Sequence, residues 1–308
     1  MSVRINELIE EINVLREKKR AYILAHNYQE PEIQNIADYV GDSLEMAKRA
    51  LEIDSDVIVV AGVSFMAEMV AVLNPDKIIL HPEPTAGCPL AEFLTPQMIR
   101  DARENCRGCP VVLYVNSYLA SKEYADYIVT SASAYKLISK LGVDRVLFGP
   151  DKNLADHVAG LTGIEVIPLP RYGHCPVHEY LIDEYYVGRA INRYPNAKVL
   201  IHPEAPRNAR LKADFIGSTS QMLRAIGEIK AEAYLLGTEE GLTYRARKLY
   251  PDKRIYPVNP KAICIDMKKI TLKKIRDSLD KLEPRVRIER SRALKVREIL
   301  ERSIELIK

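Results

Sequence analysis

The 308-residue sequence has no tryptophan, only four phenylalanines and five cysteines, and no excess of either charge. With so few cysteines, a chain of this length is not a disulfide scaffold. Its 45 basic and 42 acidic residues leave a formal charge of +3, which is too balanced for a nucleic-acid-binding protein. Hydrophobic residues make up 47% and charged residues 28% of the chain, which is ordinary for a soluble globular enzyme and excludes a disordered or fibrous protein.

A long uninterrupted hydrophobic run is also missing. The longest apolar stretch, from Val57 to Leu73, contains Glu68 and is shorter than the ~20 residues that cross a membrane. The N-terminal segment MSVRINELIEEINVLREKKR carries acidic residues and has the pattern of an amphipathic helix, unlike a signal or transit peptide. We therefore expect a cytoplasmic protein with no membrane partner and no nucleic-acid partner.

An internal repeat divides the sequence into three similar units. Each unit contains an Ala-Asp pair, an aromatic residue and, five positions after the aspartate, a hydroxyl residue. The aspartates, the hydroxyl residues and the residues that end the preceding apolar runs each recur every 88 positions. These three sets are Asp38, Asp126 and Asp214; Ser43, Ser131 and Thr219; and His26, Tyr114 and His202. The chain is therefore three copies of one unit.

Each unit alternates short β-rich apolar runs with helical patterns, such as AYILAHN, VIVVAG and KIILHP in the first unit. Strands separated by helices of about 10–15 residues predict parallel βαβ packing. We predict an α/β fold of three similar parallel three-layer αβα domains related by a pseudo-threefold axis. The predicted domains are 1–107 with the N-terminal helix, 108–195, and 196–308 with the C-terminal helices. The repeated aspartates are expected to serve turns.

Three of the five cysteines follow the repeat. Cys88, Cys175 and Cys264 are 87 and 89 residues apart, and each lies between a strand-ending loop and a predicted helix. A helix N-terminus favours the thiolate form of cysteine. Three such thiolates suit a [4Fe–4S] cluster with one iron open to act as a Lewis acid, whereas structural zinc would need a fourth protein ligand. Three buried structural cysteines are the alternative interpretation.

The other two cysteines form the motif Cys106-Arg-Gly-Cys109, which is out of phase with the repeat. A single CxxC motif can be half of a zinc site or a redox pair, but no second CxxC accompanies it. We interpret the two residues as a surface or structural pair, joined by a disulfide if the host is a hyperthermophile, and not as cluster ligands.

Polar residues follow the apolar runs at the points where ligands bind in parallel α/β folds, beyond the carboxyl ends of the strands. They form the triplets His26-Asn27-Tyr28, Tyr114-Val115-Asn116 and His202-Pro203-Glu204. Their imidazole, phenol, amide and carboxylate groups suit proton transfer and the binding of a small acidic substrate. His178 is a further candidate because it follows Cys175 closely. The remaining histidines are expected to be packed or exposed: His81, His157 and His174.

The repeated hydroxyl residues precede predicted helices. We expect them to be N-caps, and three helix N-termini directed at one axis would form a cradle for carboxylates or a phosphate. They are Ser43, Ser131 and Thr219.

These motifs resemble the quinolinate synthase family, the iron–sulfur enzymes of de novo NAD biosynthesis. The resemblance covers nearly the whole chain and is carried by AHNYQEPEIQNIADYVGDS, AGCPLAEF, YVNS, VTSASA, GPDKNLA, GHCPVH, HPE with GSTS, and CIDMKKITL. It implies three α/β domains around a [4Fe–4S] cluster. It also implies an enzyme that condenses iminoaspartate (iminosuccinate) with dihydroxyacetone phosphate to quinolinate, phosphate and water.

The resemblance implies a role for each residue that matches a motif. The cluster ligands would be Cys88, Cys175 and Cys264, and the residues of proton transfer would be Tyr28, His178 and Glu204. The substrate site would be lined by His26, Ser43, Tyr114, Val115, Asn116, Ser131, His202, Pro203, Glu204 and Thr219. Iminoaspartate would arrive free or through transient contact with an aspartate oxidase or dehydrogenase.

Three other interpretations are open. A hydro-lyase of the aconitase type also has three cysteines and an open iron, but the threefold repeat disfavours it. An iron–sulfur sensor would need no convergent His, Tyr, Glu and Asn at strand ends. A cluster-free α/β binding protein would show no visible absorption after anaerobic purification.

Overall fold

The structure, a computed structural model, describes residues 2–308, with side chains described from Ile5 onward. The chain forms two compact units, each described by itself. The first unit runs up to Cys88 and also contains Cys264–Arg297, and the second contains Pro89–Ile263 and Glu298–Lys308.

The strands of the described chain form three four-stranded sheets. The first sheet contains β1 (Ala21–His26), β2 (Tyr39–Gly41), β3 (Val57–Ala61) and β4 (Ile78–Leu80). The second contains β5 (Val111–Tyr114), β6 (Tyr127–Val129), β7 (Arg145–Gly149) and β8 (Glu165–Pro168). The third contains β9 (Ala197–Ile201), β10 (Phe215–Ile216), β11 (Ala233–Gly237) and β12 (Arg254–Pro257).

The strand order is the same in all three sheets. It is β2-β1-β3-β4 in the first, β6-β5-β7-β8 in the second and β10-β9-β11-β12 in the third. All the pairings within these sheets are parallel. The prediction of three similar parallel α/β domains is therefore confirmed, while the pseudo-threefold axis and the domain boundaries stay predictions.

Helices connect the strands. In the first repeat they are α1 (Ser2–Lys18), α2 (Pro31–Ile36), α3 (Ser43–Glu52), α4 (Ser64–Leu73), α5 (Pro89–Glu92) and α6 (Pro96–Asn105). In the second they are α7 (Leu119–Lys122), α8 (Ala134–Lys140), α9 (Lys152–Thr162), α10 (Pro176–Leu181) and α11 (Glu184–Arg193). The remainder are α12 (Arg207–Arg210), α13 (Thr219–Glu228), α14 (Gly241–Leu249), α15 (Ile265–Lys268), α16 (Leu272–Lys281) and α17 (Arg290–Ile307). Among the residues described, no helix combines the length and apolar character that a membrane span requires.

The core of the first unit contains a segment that is distant in sequence. Ile270, Leu272, Ile275 and Leu279, from the region of α15 and α16, are buried together with residues of β1 and β3. The helical segment Cys264–Arg297 thus packs in the same unit as the first sheet, whereas the sequence analysis counted it with the third repeat.

The helix N-caps differ from the sequence-based expectation. Ser43 and Thr219 are the first residues of α3 and α13, and the caps are Asp42 and Ser218. Each cap side chain accepts a hydrogen bond from the first helical turn and forms a capping box with the residue three positions on. The expected N-cap role is therefore wrong for Ser43 and Thr219. It is also wrong for Ser131, since the N-cap of α8 is Ser133.

The repeated aspartates have one structural role in all three sheets. In each case, one carboxylate oxygen accepts an N–H group of the first strand of its repeat at 2.8 Å. The three pairs are Asp38 with Ile23, Asp126 with Val111, and Asp214 with Val199. A basic side chain also contacts each carboxylate: Arg16, Arg103 and Lys198 respectively. These aspartates tie the segment before each edge strand to the neighbouring inner strand.

Replacing Asp126 with alanine should lower the free energy of unfolding by about 1–2 kcal/mol, because it leaves the Val111 N–H group and Arg103 without this acceptor. The matched control is Asp144→Ala, an exposed aspartate in the same unit, which should change stability by less than about 0.5 kcal/mol. Urea denaturation of both variants measures the difference. Equal stability of the two variants would contradict a structural role for Asp126.

Candidate active site

The second unit gathers five polar residues at the carboxyl ends of β5 and β9. Tyr114 ends β5 and Asn116 follows it, while His202 and Glu204 follow the end of β9. His178 comes from α10 and joins them. β5 belongs to the second sheet and β9 to the third, so the site lies where the carboxyl ends of strands from two sheets meet.

Glu204 is the centre of this group, and only 3% of it is exposed. Its Oε1 accepts a hydrogen bond from Asn116 Nδ2 at 3.1 Å, and its Oε2 lies 2.9 Å from His178 Nδ1. The Tyr114 hydroxyl also donates to the carboxylate. The three donors fix the position of this buried carboxylate, and they replace the hydrogen bonds to water that it loses on burial.

The surroundings keep Glu204 ionised and His202 neutral. Burial raises the pKa of Glu204, but His178, His202 and the hydrogen bonds outweigh burial and lower it to about 2. Burial is also the main cause that lowers the pKa of His202 to about 3. At neutral pH the site therefore holds one carboxylate beside a neutral imidazole.

Two histidines at strand ends each accept a hydrogen bond from a backbone N–H group, and this bond sets the tautomer of each ring. His202 Nδ1 accepts the N–H group of Glu204 at 3.3 Å, and His26 Nδ1 accepts the N–H group of Tyr28 at 3.2 Å in the first unit. Because Nδ1 is the acceptor in both cases, the ring proton is on Nε2. Each ring therefore presents an N–H donor on its far side.

Cys175 is held next to Glu204 and His178. The sulfur of Cys175 and one ligand atom each of His178 and Glu204 lie within 4.8 Å of one another. The backbone N–H group of Cys175 donates to Asp151 Oδ2 at 3.2 Å, and Oδ1 of Asp151 accepts from Leu154 at 2.7 Å, the N-cap bond of α9. One fully buried aspartate thus fixes both the cysteine loop and a helix N-terminus.

The surroundings of Asp151 favour its protonated form. Burial is the main cause that raises its pKa well above the ordinary value, and the negative charge of Glu204 adds to it. Of the two neighbouring carboxyl groups, Glu204 has the lowered pKa and Asp151 the raised one, so Asp151 is the one that binds a proton more readily.

A pair of Asp151 variants tests its two hydrogen bonds. Asp151→Ala should lower the free energy of unfolding by about 1–3 kcal/mol, since it strands the buried N–H groups of Leu154 and Cys175. Asp151→Asn keeps one acceptor oxygen but turns its NH₂ group towards the other N–H donor, so it should cost less than alanine and still destabilise the chain. Urea denaturation midpoints at pH 7 test this order. If asparagine is as destabilising as alanine, one acceptor oxygen is not enough and both oxygens of Asp151 are needed.

The three cysteines of the repeat are half-buried and are not in disulfides. They directly precede α5, α10 and α15, as the sequence predicted. Cys106 and Cys109, in contrast, are joined by a disulfide. That bond agrees with their interpretation as a structural pair, and the three repeat cysteines remain outside disulfides.

The first unit places its candidate residues around the end of β1. His26 is buried there, and its ring meets that of Tyr28 edge to face at 4.6 Å. The backbone oxygen of Tyr28 accepts a hydrogen bond from Lys268 Nζ at 2.7 Å. Ser43 is buried at the start of α3. Lys268, from the CIDMKKITL motif, therefore fixes the loop that carries Tyr28.

The remaining candidates of the second unit follow strand ends or lie at or before helix starts. Val115 is buried and donates its N–H group to the backbone oxygen of Val129 at 2.8 Å. Pro203 is buried between His202 and Glu204. Ser131 is half-buried in the turn before α8, and Thr219 is buried at the start of α13.

Sequence reasoning missed three residues of the second unit: Asp151, Asn153 and Thr238. Asn153 Nδ2 donates to the backbone oxygen of Glu204 at 2.9 Å and thereby holds the backbone of Glu204 in place. Asp151 and Thr238 follow the third strands of their repeats, β7 and β11, at or next to the strand end. The strand-end rule would have found both if it had been applied to those strands as well as to β1, β5 and β9.

The chain combines a parallel α/β fold with a buried, ionised carboxylate at the strand ends. Imidazole, amide and phenol groups surround this carboxylate, which is the arrangement of an enzyme. The family described as quinolinate synthetase A protein matches residues 10–305, and the chain belongs to that family. It is 48% identical over 301 residues to the quinolinate synthase of Pyrococcus abyssi, covering 97% of this chain and 99% of that protein. The quinolinate synthase of Thermotoga petrophila is 46% identical over 265 residues, covering 86% of this chain and 88% of that protein.

Proposed function

We propose that the chain condenses iminoaspartate with dihydroxyacetone phosphate and releases quinolinate, phosphate and two molecules of water, the number that balances the atoms. This step places it in NAD biosynthesis, which agrees with its family and with its relatives named quinolinate synthase. The supply of iminoaspartate by an aspartate oxidase or dehydrogenase, and the cytoplasmic location, stay predictions of the sequence.

The proposal includes a [4Fe–4S] cluster held by Cys88, Cys175 and Cys264. The donor set fits it: these three cysteines are outside disulfides, are half-buried and each precede a helix. Three thiolates suit iron–sulfur ligation and leave one iron without a protein ligand. When bound, the cluster supplies Lewis-acid chemistry through that iron.

Glu204 and His178 would move the protons that the condensation requires. A carboxylate buried beside an imidazole can take a proton from a carbon next to a substrate carboxyl group, as enolisation requires. His178 Nδ1, 2.9 Å from Glu204 Oε2, is placed to exchange a proton with that carboxylate, which passes it to a departing hydroxyl when water is eliminated. Asn116 and the backbone contact of Asn153 hold the carboxylate in place while its charge changes.

His202 and His26 would bind substrate as neutral donors. With Nδ1 bound to backbone N–H groups, each imidazole offers only its Nε2–H outward. Such donors suit the carboxylates of iminoaspartate and the oxygens of dihydroxyacetone phosphate. Tyr28, held through its backbone by Lys268, adds a phenol for proton transfer in the first unit.

The observation that carries this proposal is the buried, ionised Glu204 among His178, Tyr114 and Asn116. A direct test measures products of the reconstituted enzyme with each substrate omitted in turn. The proposal predicts quinolinate and phosphate in equal amounts and neither product when one substrate is missing. Phosphate release from dihydroxyacetone phosphate alone would contradict a concerted use of both substrates, and no product from the complete mixture would contradict the proposed reaction.

A further inference from the structure

Glu204 lies in a tight turn of the backbone. The N–H group of Ala205 donates to the backbone oxygen of His202 at 3.0 Å and closes the turn. Pro203 is the second residue of the turn, a position that its fixed φ angle favours. Ala205, the last residue of the turn, is completely buried. The direction of the Glu204 side chain therefore depends on how the peptide groups that follow it are held.

Side-chain donors hold both of those peptide groups. Asn153 Nδ2 donates to the backbone oxygen of Glu204, and Arg210 Nε donates to the backbone oxygen of Ala205, each at 2.9 Å. Asn153 belongs to α9 and Arg210 to α12. Two consecutive carbonyl groups are thus fixed by side chains from outside the turn.

Arg210 is itself anchored on α9. Its Nη2 donates to Asp156 Oδ2 at 2.5 Å, and Asp156 follows Asn153 by three positions on that helix. Residues three apart on a helix are neighbours on its surface, so α9 holds the turn at two adjacent points. Because the guanidinium group is planar, the bond from Nη2 to Asp156 also sets the direction of the Nε–H group.

The burial of Arg210 is not explained by stability alone. Only 6% of it is exposed, and the cost of removing a charged group from water offsets much of the attraction within such a pair. Arg207 offers the contrast, because its Nη1 lies 3.3 Å from Oδ1 of the same aspartate while its side chain is 71% exposed. An exposed pair of this kind contributes little. The difference between the two arginines is the bond of Arg210 to the turn.

We propose that Arg210, anchored by Asp156, is a positioning residue that holds the Ala205 carbonyl group and thereby keeps the Glu204 carboxylate directed at His178. This inference rests on the proposed role of Glu204 in proton transfer. His202 is fixed independently, since its N–H group donates to the backbone oxygen of Gly237 at 3.0 Å. Loss of Arg210 should therefore lower turnover and leave substrate affinity, which His202 serves, little changed.

The test compares Arg210→Met, which keeps a long side chain and removes the guanidinium group, with Arg207→Met as the matched control on the same aspartate. Asp156→Asn is a milder variant that keeps an acceptor for Arg210 and removes the charge. Nitrogen-15 spectra of the histidine-labelled full-length chain report on the turn, because His202 Nδ1 accepts the N–H group of Glu204 at 3.3 Å. His202→Gln identifies the signals of His202.

We expect Arg210→Met to shift the Nδ1 signal of His202 towards that of an unbonded nitrogen. In the reconstituted enzyme, the same variant should lower kcat about tenfold with KM little changed, because a small displacement of a catalytic group is enough to slow the reaction. Asp156→Asn should change both quantities in the same direction and by less. Arg207→Met should match the parent enzyme in both.

The outcomes separate the positioning role from the proposed function. Unchanged His202 signals in Arg210→Met would overturn the positioning role, and so would an equal effect of Arg207→Met. Altered signals with an unchanged kcat would overturn it for catalysis. If Arg210→Met does not fold, Asp156→Asn decides by the same two measurements. If the parent enzyme makes no quinolinate, the proposed function fails, while the spectra still decide whether Arg210 holds the turn.

Discussion

Replacing Glu204 with glutamine is expected to lower quinolinate formation by about 10²–10⁴-fold, the range that a positioned acid–base group contributes. Both close partners of the carboxylate, Asn116 Nδ2 and His178 Nδ1, approach it as donors. A glutamine offers one acceptor oxygen and turns an NH₂ group towards the other donor. The variant therefore loses the base and also misplaces His178.

The iron content of Glu204→Gln should equal that of the parent enzyme, because Glu204 is not among the proposed ligands. Glu184→Gln is the matched control, since Glu184 is an exposed glutamate of the same unit whose Oε1 lies 3.3 Å from Lys212 Nζ. It should retain full activity. A near-normal rate for Glu204→Gln would remove Glu204 from the mechanism, and loss of iron in that variant would mean that its effect is on the cluster.

Replacing Cys175 with serine is expected to remove the cluster and with it at least a hundredfold of the activity, since a Lewis acid contributes several kcal/mol to such steps. The hard serine oxygen is a poor substitute for a thiolate towards iron. The prediction is checked by iron and sulfide analysis together with the quinolinate assay after anaerobic reconstitution.

The disulfide provides the control for the cysteine variant. A double substitution of Cys106 and Cys109 with serine removes two sulfurs of the same unit that are bonded to each other. It should keep full iron content and activity. Full iron content in Cys175→Ser would contradict its role as a ligand, and loss of the cluster from the double variant would show that the pair outside the repeat is needed as well.

The periodicity of the sequence predicted the three sheets because each copy must form its own βαβ pairings. Residues 88 positions apart, such as His26 and Tyr114, occur at the ends of corresponding strands, so the repeat alone gives their place in the fold. The same periodicity placed a cysteine before a helix in each copy. These are properties of local sequence, and they were confirmed.

The N-caps could not be assigned correctly from the repeat. Asp42 and Ser43 are both residues that cap helices well, and so are Ser218 and Thr219. Which of the two neighbours is the cap depends on where the backbone leaves the extended conformation, and that point varies by one residue in such sequences. The structure selects Asp42 and Ser218 because their side chains reach the N–H groups of the next turn.

The partners of His178 were beyond sequence reasoning for a different reason. Thr238, whose Oγ1 contacts His178 Nε2, is 60 positions away, and the contact exists only because β11 ends beside α10. The strand-end rule marks Thr238 as a candidate, but no local pattern shows that it contacts His178. The position of Cys264–Arg297 is a similar case, since amphipathic helices fit many surfaces and only tertiary packing places them against the first sheet.

The most direct test of the central claim is anaerobic reconstitution of the chain with iron and sulfide, followed by iron analysis, a visible spectrum and a quinolinate assay on one sample. The account predicts about four irons per chain, broad absorption near ~400 nm, and quinolinate from iminoaspartate and dihydroxyacetone phosphate. A cluster without quinolinate would contradict the proposed reaction and favour the hydro-lyase or the sensor. A chain that binds no cluster would contradict the interpretation of Cys88, Cys175 and Cys264.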